Sequence, residues 1–205
     1  MKMNDGLLTE DKFKEEVKLF PQNTINGTTL VDKPTQNIIP NSLFVVTPCM
    51  GTLMLSYVKS VLELQAICFH KEIFTKFHMV QSSLVTQGRN LCVQAFLNSH
   101  CSHMLFVDSD IEFDPPSILT MMNHNKDIIL TPYPMKIFDW DKARILTSKS
   151  GKPVEECPHY FCLEFPDKNK IESKDGLCEI VKGPAGCMLI KREVFDKMMK
   201  AYPKM

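Results

Sequence analysis

An apolar run that leads directly into two aspartates constrains this chain more than any other feature. Residues 104–107 read Met-Leu-Phe-Val and are followed by Asp108, Ser109 and Asp110. An unbroken apolar run of this length is typical of a strand buried on both faces, as in a parallel sheet covered by helices. Open sheets of this kind bind ligands beyond the carboxyl ends of their strands. The sequence therefore places two carboxylates at the ligand-binding edge of the predicted sheet.

The spacing of Asp108 and Asp110 predicts a divalent-cation site. Side chains two apart on a strand point the same way, and two close carboxylates repel each other unless a proton or a cation lies between them. Oxygen ligands favour Mg²⁺ or Mn²⁺, and Mg²⁺ commonly joins one or two carboxylates to substrate phosphates. An alternative stays open, because Asp and Ser also stabilise turns and helix N-termini through hydrogen bonds to backbone N–H groups.

Composition limits the class of protein. The chain has 205 residues, enough for one sizeable domain, and its 24 Lys and Arg balance its 24 Asp and Glu. A balanced charge gives no field that would attract nucleic acid. No apolar run approaches the length of a membrane helix and the N-terminus has no signal-peptide core, which predicts a cytoplasmic protein without a membrane segment. The eight cysteines lack C-x-x-C spacing and are predicted to be reduced core thiols.

Strands and helices alternate in the first part of the main domain. Apolar runs predict strands, and apolar residues at helical spacing predict helices. The predicted order is a strand at 43–46, a helix at 52–69, a strand at 77–80, a helix at 84–98 and the strand at 104–107. Thr47 and Pro48 are expected to stop the first strand. This βαβαβ pattern predicts an α/β fold with a mostly parallel central sheet flanked by helices.

The two ends of the chain differ in character. Residues 1–41 are predicted to be a polar N-terminal arm with a short helix over 10–19, because the arm is rich in Asn, Thr and Pro. Residues 42–205 are predicted to form the main domain. Its second part is predicted to contain a helix at 117–123 capped by Asp114, a strand at 127–131, a polar loop at 139–176 with short strands such as 160–165, a strand at 179–182, a turn at 183–186, an apolar strand at 187–190 and a helix at 192–201 with Val194, Phe195, Met198 and Met199 inward.

Four stretches, taken in order, resemble the nucleotide-sugar glycosyltransferases of the GT-A fold, especially the small family-2-like enzymes of phages, bacteria and large DNA viruses. Residues 43–48 (Leu-Phe-Val-Val-Thr-Pro) resemble the first strand and the base-binding loop. Residues 87–91 (Gln-Gly-Arg-Asn-Leu) resemble the xxRN helix start, and residues 104–113 resemble the D-x-D strand end. Residues 183–195 resemble the segment G-x-G-x-x-L-I-x-R-x-V-F.

The resemblance implies a metal-dependent transfer of a sugar from a nucleoside-diphosphate donor to a glycan or protein acceptor. It implies that Asp110 binds Mn²⁺ or Mg²⁺ and that Asp108 contacts the ribose or the metal. Further implied nucleotide-binding positions are Thr47 and Pro48 at the base, Arg89 at the base, ribose or phosphate, Ser109 between the two aspartates, and Gly183 and Gly186 in a turn that faces the donor sugar or acceptor.

One departure and two alternatives accompany the resemblance. GT-A enzymes normally continue beyond the R-x-V-F helix, which implies that the chain is C-terminally incomplete, and no catalytic base can be named. One alternative is a catalytically inactive nucleotide-binding or assembly module of the same fold. The other is a haloacid-dehalogenase-type phosphotransferase, which also uses a D-x-D sequence. Glu112 and the position of the motif after the third predicted strand count against this second alternative.

Overall fold

The computed structural model describes residues 37–151, 153, 160–167 and 170–203. The predicted arm lies outside these ranges up to residue 36, so its short helix stays a prediction. The elements are β1 (Ile39–Cys49), α1 (Leu55–His70), β2 (Thr75–Gln81), α2 (Val85–Leu97), β3 (Cys101–Val107), α3 (Pro115–Asn123), β4 (Ile128–Leu130), α4 (Trp140–Ser150), β5 (Ser173–Lys174), β6 (Leu177–Cys178), β7 (Cys187–Lys191) and α5 (Arg192–Ala201).

Five strands form the central sheet in the order β2-β1-β3-β7-β4. β1 pairs in parallel with β2 and with β3, whereas β7 is antiparallel to both β3 and β4. Four strands therefore run in one direction and β7 runs against them. The predicted α/β fold class, with a mostly parallel sheet flanked by helices, is confirmed.

The alternation of side chains along each strand divides the core into two layers. Leu43, Val45, Leu105 and Val107 pack on one face of the sheet against α1 and α3. The intervening residues of β1 and β3, including Phe44 and Phe106, pack on the other face against α2 and α5. Both faces are covered by helices, which explains why β3 is apolar without a break.

The prediction that Thr47 and Pro48 stop the first strand is wrong. β1 runs from Ile39 to Cys49, and Pro48 pairs with Val80 of β2. Pairing between β1 and β3 ends at Val46, so no ladder bond to β3 is needed at Pro48. Proline, which lacks an N–H, is tolerated where a strand has no neighbour to receive that hydrogen bond.

Part of the segment predicted to be a polar loop at 139–176 is a helix. Residues 140–150 form α4, whose N-terminus is capped by the Asp139 carboxylate, 2.9 Å from the Lys142 nitrogen. Gly151 ends the helix with a positive φ of 67°. Ala143 is the buried residue of this helix. The helix therefore has no apolar stripe, which is the pattern that predicts a helix from sequence. Its ends are instead defined by the capping residues Asp139 and Gly151.

Three further predictions on the second part of the chain need correction. The strand predicted at 179–182 is absent, and Lys182 makes only an isolated bridge with Glu164. The short strand predicted at 160–165 is likewise reduced to isolated bridges, while a small hairpin forms at β5 and β6. In α5, Val194 and Phe195 are buried as predicted, but Met198 and Met199 are exposed. Among the described residues, none of the helices is both long and apolar enough to cross a membrane.

Candidate functional site

The segments that carry the predicted site meet at one edge of the sheet. β3 ends at Val107, which pairs with Cys187 at the start of the antiparallel β7. Residues that follow β3 and residues that precede β7 therefore lie side by side. The Asp108 N–H donates to the Gly186 carbonyl at 2.8 Å and holds the two segments together. The predicted turn at 183–186 is thus brought to the D-x-D sequence.

Asp108, Ser109 and Asp110 form a turn directly after β3 rather than the last residues of the strand. The Ile111 N–H donates to the Asp108 carbonyl at 3.1 Å and closes the turn. The Ser109 carbonyl accepts a hydrogen bond of 3.0 Å from the Met54 N–H, at the start of α1. The alternative that Asp108, Ser109 and Asp110 form a turn is therefore correct for the backbone. The helix-cap alternative is wrong, because Asp114 caps α3 by accepting from the Ser117 N–H.

Arg89 connects α2 to this turn. Its guanidinium donates to Asp108 Oδ1 at 2.8 Å and to the Ala185 carbonyl at 3.1 Å, and it lies 5.0 Å from the centroid of the Phe106 ring. Gly88 permits α2 to lie close to Ser82 and Pro48, since a Cβ at position 88 would lie 3.2 Å from the Ser82 Cβ. Arg89 sits in the second turn of α2, one turn later than the resemblance implied.

Gly186 is required by close approach rather than by its backbone angle. A Cβ at this position would lie 2.4 Å from the Tyr133 hydroxyl oxygen and 2.9 Å from Asp108 Oδ2. Burial raises the pKa of Tyr133, and the charge of Asp108 acts in the same direction. The backbone of Gly186 lowers the pKa of Tyr133, against these two larger effects. The phenol is therefore neutral at physiological pH and available as a hydrogen-bonding group.

Lys136 forms an ion pair with Asp110 Oδ2. The Lys136 side chain is 78% exposed and that of Asp110 is 43% exposed, whereas Arg89 and Asp108 are 24% and 31% exposed. The site consequently contains an inner, partly buried pair and an outer, exposed pair. With two carboxylates and two cationic side chains, the formal charges of these four groups cancel.

Burial is the main cause that raises the pKa of the Asp108 carboxyl above its ordinary value. The positive charge of Arg89 opposes this effect, and the neighbouring Asp110 carboxylate raises the pKa further. The effect of Asp110 is repulsion between two negative charges in the same turn. A cation placed between them would favour the charged form of both.

Asp108 and Asp110 would supply only part of the ligand set of a divalent metal. Among the described residues there is no group of three or more His, Cys, Asp or Glu side chains that could hold a metal ion. Asp108 Oδ2 is separate from the oxygen that Arg89 binds. Mg²⁺ usually keeps water ligands and takes one or two carboxylates together with phosphate oxygens. Asp108 and Asp110 would hold such a metal, with water and a diphosphate completing its coordination.

The remaining predicted positions are distributed unevenly. The Thr47 side chain is buried, and its hydroxyl makes a 2.6 Å hydrogen bond with the Tyr57 hydroxyl inside the core. This placement argues against Thr47 as a base-contacting side chain. Pro48 is partly exposed at the end of β1. Gly183 is packed beside Leu130 and Ile180, where an added Cβ would come within 2.5 Å of Leu130.

Sequence reasoning missed Tyr133 and Lys136. Both lie just after β4, whose last residue, Leu130, pairs with Met188 of β7. Because β3 and β4 are both antiparallel to β7, their carboxyl ends share one edge of the sheet. The rule that ligands bind beyond the carboxyl ends of strands applies to β4 as well as to β3.

No family model and no curated protein matches the sequence. Among solved structures, A197 from STIV is similar over 76% of this chain and 68% of that chain, with 18% identity and a TM-score of 0.46. The 4-diphosphocytidyl-2C-methyl-D-erythritol synthase from Anaerococcus prevotii is similar over 80% of this chain and 76% of its own, with 10% identity and a TM-score of 0.41.

A third similar structure is a glycosyltransferase involved in the glycosylation of the major capsid of PBCV-1. The similarity covers 80% of this chain and 66% of that chain, at 10% identity and a TM-score of 0.32. All three similarities are at low identity. We therefore base the functional assignment on the contacts of the site itself.

Proposed function

We propose that this chain is all or part of a metal-dependent glycosyltransferase that uses a nucleoside-diphosphate sugar. The observation that carries the proposal is the convergence of two carboxylates and two cationic side chains at the carboxyl edge of the sheet. Asp108 and Asp110 follow β3, Arg89 approaches from α2, and Lys136 follows β4. This constellation suits a ligand that combines a divalent cation with a diphosphate.

The chemistry of sugar transfer gives each group a role. As the bond between the sugar and the diphosphate breaks, negative charge develops on the leaving diphosphate. A bound Mg²⁺ or Mn²⁺ supplies Lewis-acid stabilisation of that charge. Arg89 orients the Asp108 carboxylate through their 2.8 Å hydrogen bond, and the backbone of 183–186 lies beside it. Fixed groups of this kind lower the cost of reorganisation during transfer.

The proposal is tested by binding of nucleoside diphosphates to the full chain. Uridine and guanosine diphosphates, with and without Mn²⁺, are screened by thermal shift and then titrated by calorimetry. A ligand that binds only the folded state raises stability by RT ln(1 + [L]/Kd). We expect a Mn²⁺-dependent rise in melting temperature with uridine diphosphate or with guanosine diphosphate. Absence of heat and of thermal shift with every nucleoside diphosphate would exclude the proposed function.

A matched pair of variants assigns the binding to this edge of the sheet. Asp110→Asn keeps the shape of the side chain but removes the charge that a cation needs, so Mn²⁺-dependent binding should be lost. Asp127→Asn is the control, because Asp127 also pairs with an exposed lysine, Lys197, at 2.9 Å. Asp127 precedes β4 and lies at the opposite edge of the sheet. Equal nucleotide binding by Asp110→Asn and the parent would rule out Asp110 as a ligand.

The inactive-module alternative uses the same contacts without transfer. It is distinguished by sugar release from a nucleotide sugar, which an enzyme catalyses and a binding module does not. Mn²⁺-dependent release that disappears in Asp110→Asn would support an enzyme. The acceptor and the sugar are then identified by screening donors that share the base found in the binding experiment.

A further inference from the structure

The two cations of the site are held in different ways. Arg89 has three contacts, to the Asp108 carboxylate, the Ala185 carbonyl and the Phe106 ring, and its side chain is mostly buried. Lys136 is 78% exposed and reaches Asp110 from the segment that links β4 to α4. Leaving the site would cost Arg89 several contacts, whereas Lys136 would give up a solvent-screened ion pair. Exposed pairs of this kind contribute little stability.

Charge balance makes this difference important. Asp108 and Asp110 carry two formal negative charges, which Arg89 and Lys136 already neutralise. A divalent metal that enters such a site finds both carboxylates already neutralised by ion pairs. Asp110 Oδ2 is, moreover, the oxygen in contact with the Lys136 ammonium. Metal and ammonium therefore compete for the same carboxylate.

We propose that Lys136 is a tethered, exchangeable cation that occupies Asp110 until a divalent metal displaces it. The inference rests on the proposed function, because it assumes that the metal binds at Asp108 and Asp110. Lys136 reduces the repulsion between the two carboxylates while no metal is bound. When the metal enters, the ammonium leaves Asp110 and Arg89 stays. Lys136 thus lowers the affinity of the site for metal and sets the metal concentration at which the site fills.

The size of the effect of Lys136 on metal affinity follows from electrostatics. A unit positive charge about 5 Å from a divalent cation, in a water-like dielectric, weakens binding by roughly tenfold. An exposed lysine can move away, which reduces the penalty. We therefore expect Lys136→Met to bind Mn²⁺ roughly three- to tenfold more tightly than the parent chain.

The test is a direct titration of the full chain with Mn²⁺, read from the electron paramagnetic resonance signal of the free ion. Lys136→Arg keeps the positive charge and should stay closer to the parent than Lys136→Met. Lys197→Met removes an exposed lysine from an equivalent pair with Asp127, at the opposite edge of the sheet, and should leave Mn²⁺ affinity unchanged. Raising the ionic strength should reduce the difference in Mn²⁺ affinity between Lys136→Met and the parent, because salt screens exposed charges.

The outcomes separate this inference from the proposed function. Mn²⁺ binding by Lys136→Met that equals or falls below that of the parent overturns the role of Lys136 and leaves the metal site intact. Absence of Mn²⁺ binding in both chains also overturns the role of Lys136. In that case nucleoside-diphosphate binding, measured by calorimetry without metal, decides independently whether the nucleotide site survives. A thermal melt confirms that each variant is folded, as expected for an exposed side chain.

Discussion

The guanidinium of Arg89 donates a hydrogen bond of 2.8 Å to the carboxylate of Asp108, across 19 residues of sequence. This contact joins the second turn of α2 to the turn that follows β3. The same guanidinium donates to the Ala185 carbonyl, so three separate segments meet at one side chain. The position of Asp108 is therefore set by a helix that precedes β3 and by a loop that precedes β7.

We expect Arg89→Met to lower the free energy of unfolding by about 1–2 kcal/mol, because it removes two charge-assisted hydrogen bonds that are only partly shielded from water. Urea denaturation measures the change. Asp108→Asn completes a double-mutant cycle that isolates the contribution of the pair. Additive effects of the two substitutions would show that Arg89 and Asp108 are not energetically coupled in the folded protein.

Gly186→Ala should destabilise the protein by about 1–3 kcal/mol, because overpacking forces neighbouring groups to shift. The added methyl group would lie 2.4 Å from the Tyr133 hydroxyl oxygen and 2.9 Å from Asp108 Oδ2. Denaturant melts of Gly186→Ala, Tyr133→Ala and the double variant test this cause. Removal of the phenol ring should recover part of the loss, and full additivity in the double variant would contradict a clash with Tyr133.

Arg192 ties the end of α2 to the start of β3. Its guanidinium donates to the carbonyls of Phe96, Leu97, Ser99 and Cys101 at 2.8–3.2 Å and lies 4.3 Å from the centroid of the Phe96 ring. A cation at a helix C-terminus also interacts favourably with the helix dipole. We expect Arg192→Met to cost about 2–4 kcal/mol, because several carbonyls each lose a charge-assisted hydrogen bond at the same time.

Arg144→Met serves as the control for Arg192, since the Arg144 side chain is 80% exposed and forms a long ion pair of 3.8 Å with Asp141. Its effect on the urea midpoint should be small. Arg192→Lys should fall between the parent and Arg192→Met, because lysine keeps the charge but lacks the planar fork that reaches several carbonyls. Equal stabilities of Arg192→Met and Arg144→Met would refute the capping role.

Stability should decrease in mildly acidic solution because of His103. Burial lowers the pKa of His103 below its ordinary 6.5, and the charge of Lys191 acts in the same direction, against smaller opposite effects of Ser42 and Glu193. A histidine with a lowered folded pKa favours the folded state when neutral. Its contribution is fully present above pH 6.5 and is lost as the pH falls through the lowered value.

His103→Asn tests this dependence, since the Asn side-chain amide, which can donate or accept, can take the place of Nδ1, which lies 2.9 Å from the Ser102 hydroxyl. Urea melts at pH 7.5 and pH 5.5 should show a smaller loss of stability in the variant than in the parent. One histidine contributes at most about 1.4 kcal/mol per pH unit. His78, whose pKa is also lowered by burial, should cause part of the pH dependence of stability that remains in the variant. An unchanged slope in His103→Asn would exclude His103 as the titrating group.

Local signals in the sequence were sufficient for much of the framework. The apolar run at 104–107 predicted β3 because a strand covered on both faces cannot alternate with polar residues. Helical periodicity predicted α1, α2 and α5, and Asp114 predicted the start of α3. These features depend on residues close together in sequence. The placement of the D-x-D sequence at a strand end follows from the same local information.

Long-range packing decided what the site contains. The antiparallel direction of β7 sets Gly186 against Asp108, and the direction of β4 sets Lys136 beside Asp110, neither of which a local pattern encodes. The burial of Thr47 against Tyr57 depends on how α1 crosses the sheet. Local sequence patterns were enough to predict the five strands of the central sheet, the helices α1, α2, α3 and α5, and the position of the two carboxylates, but not α4 or the β5–β6 hairpin. Which cations lie beside those carboxylates depended on tertiary packing, because contacts between distant segments follow from strand direction and helix packing.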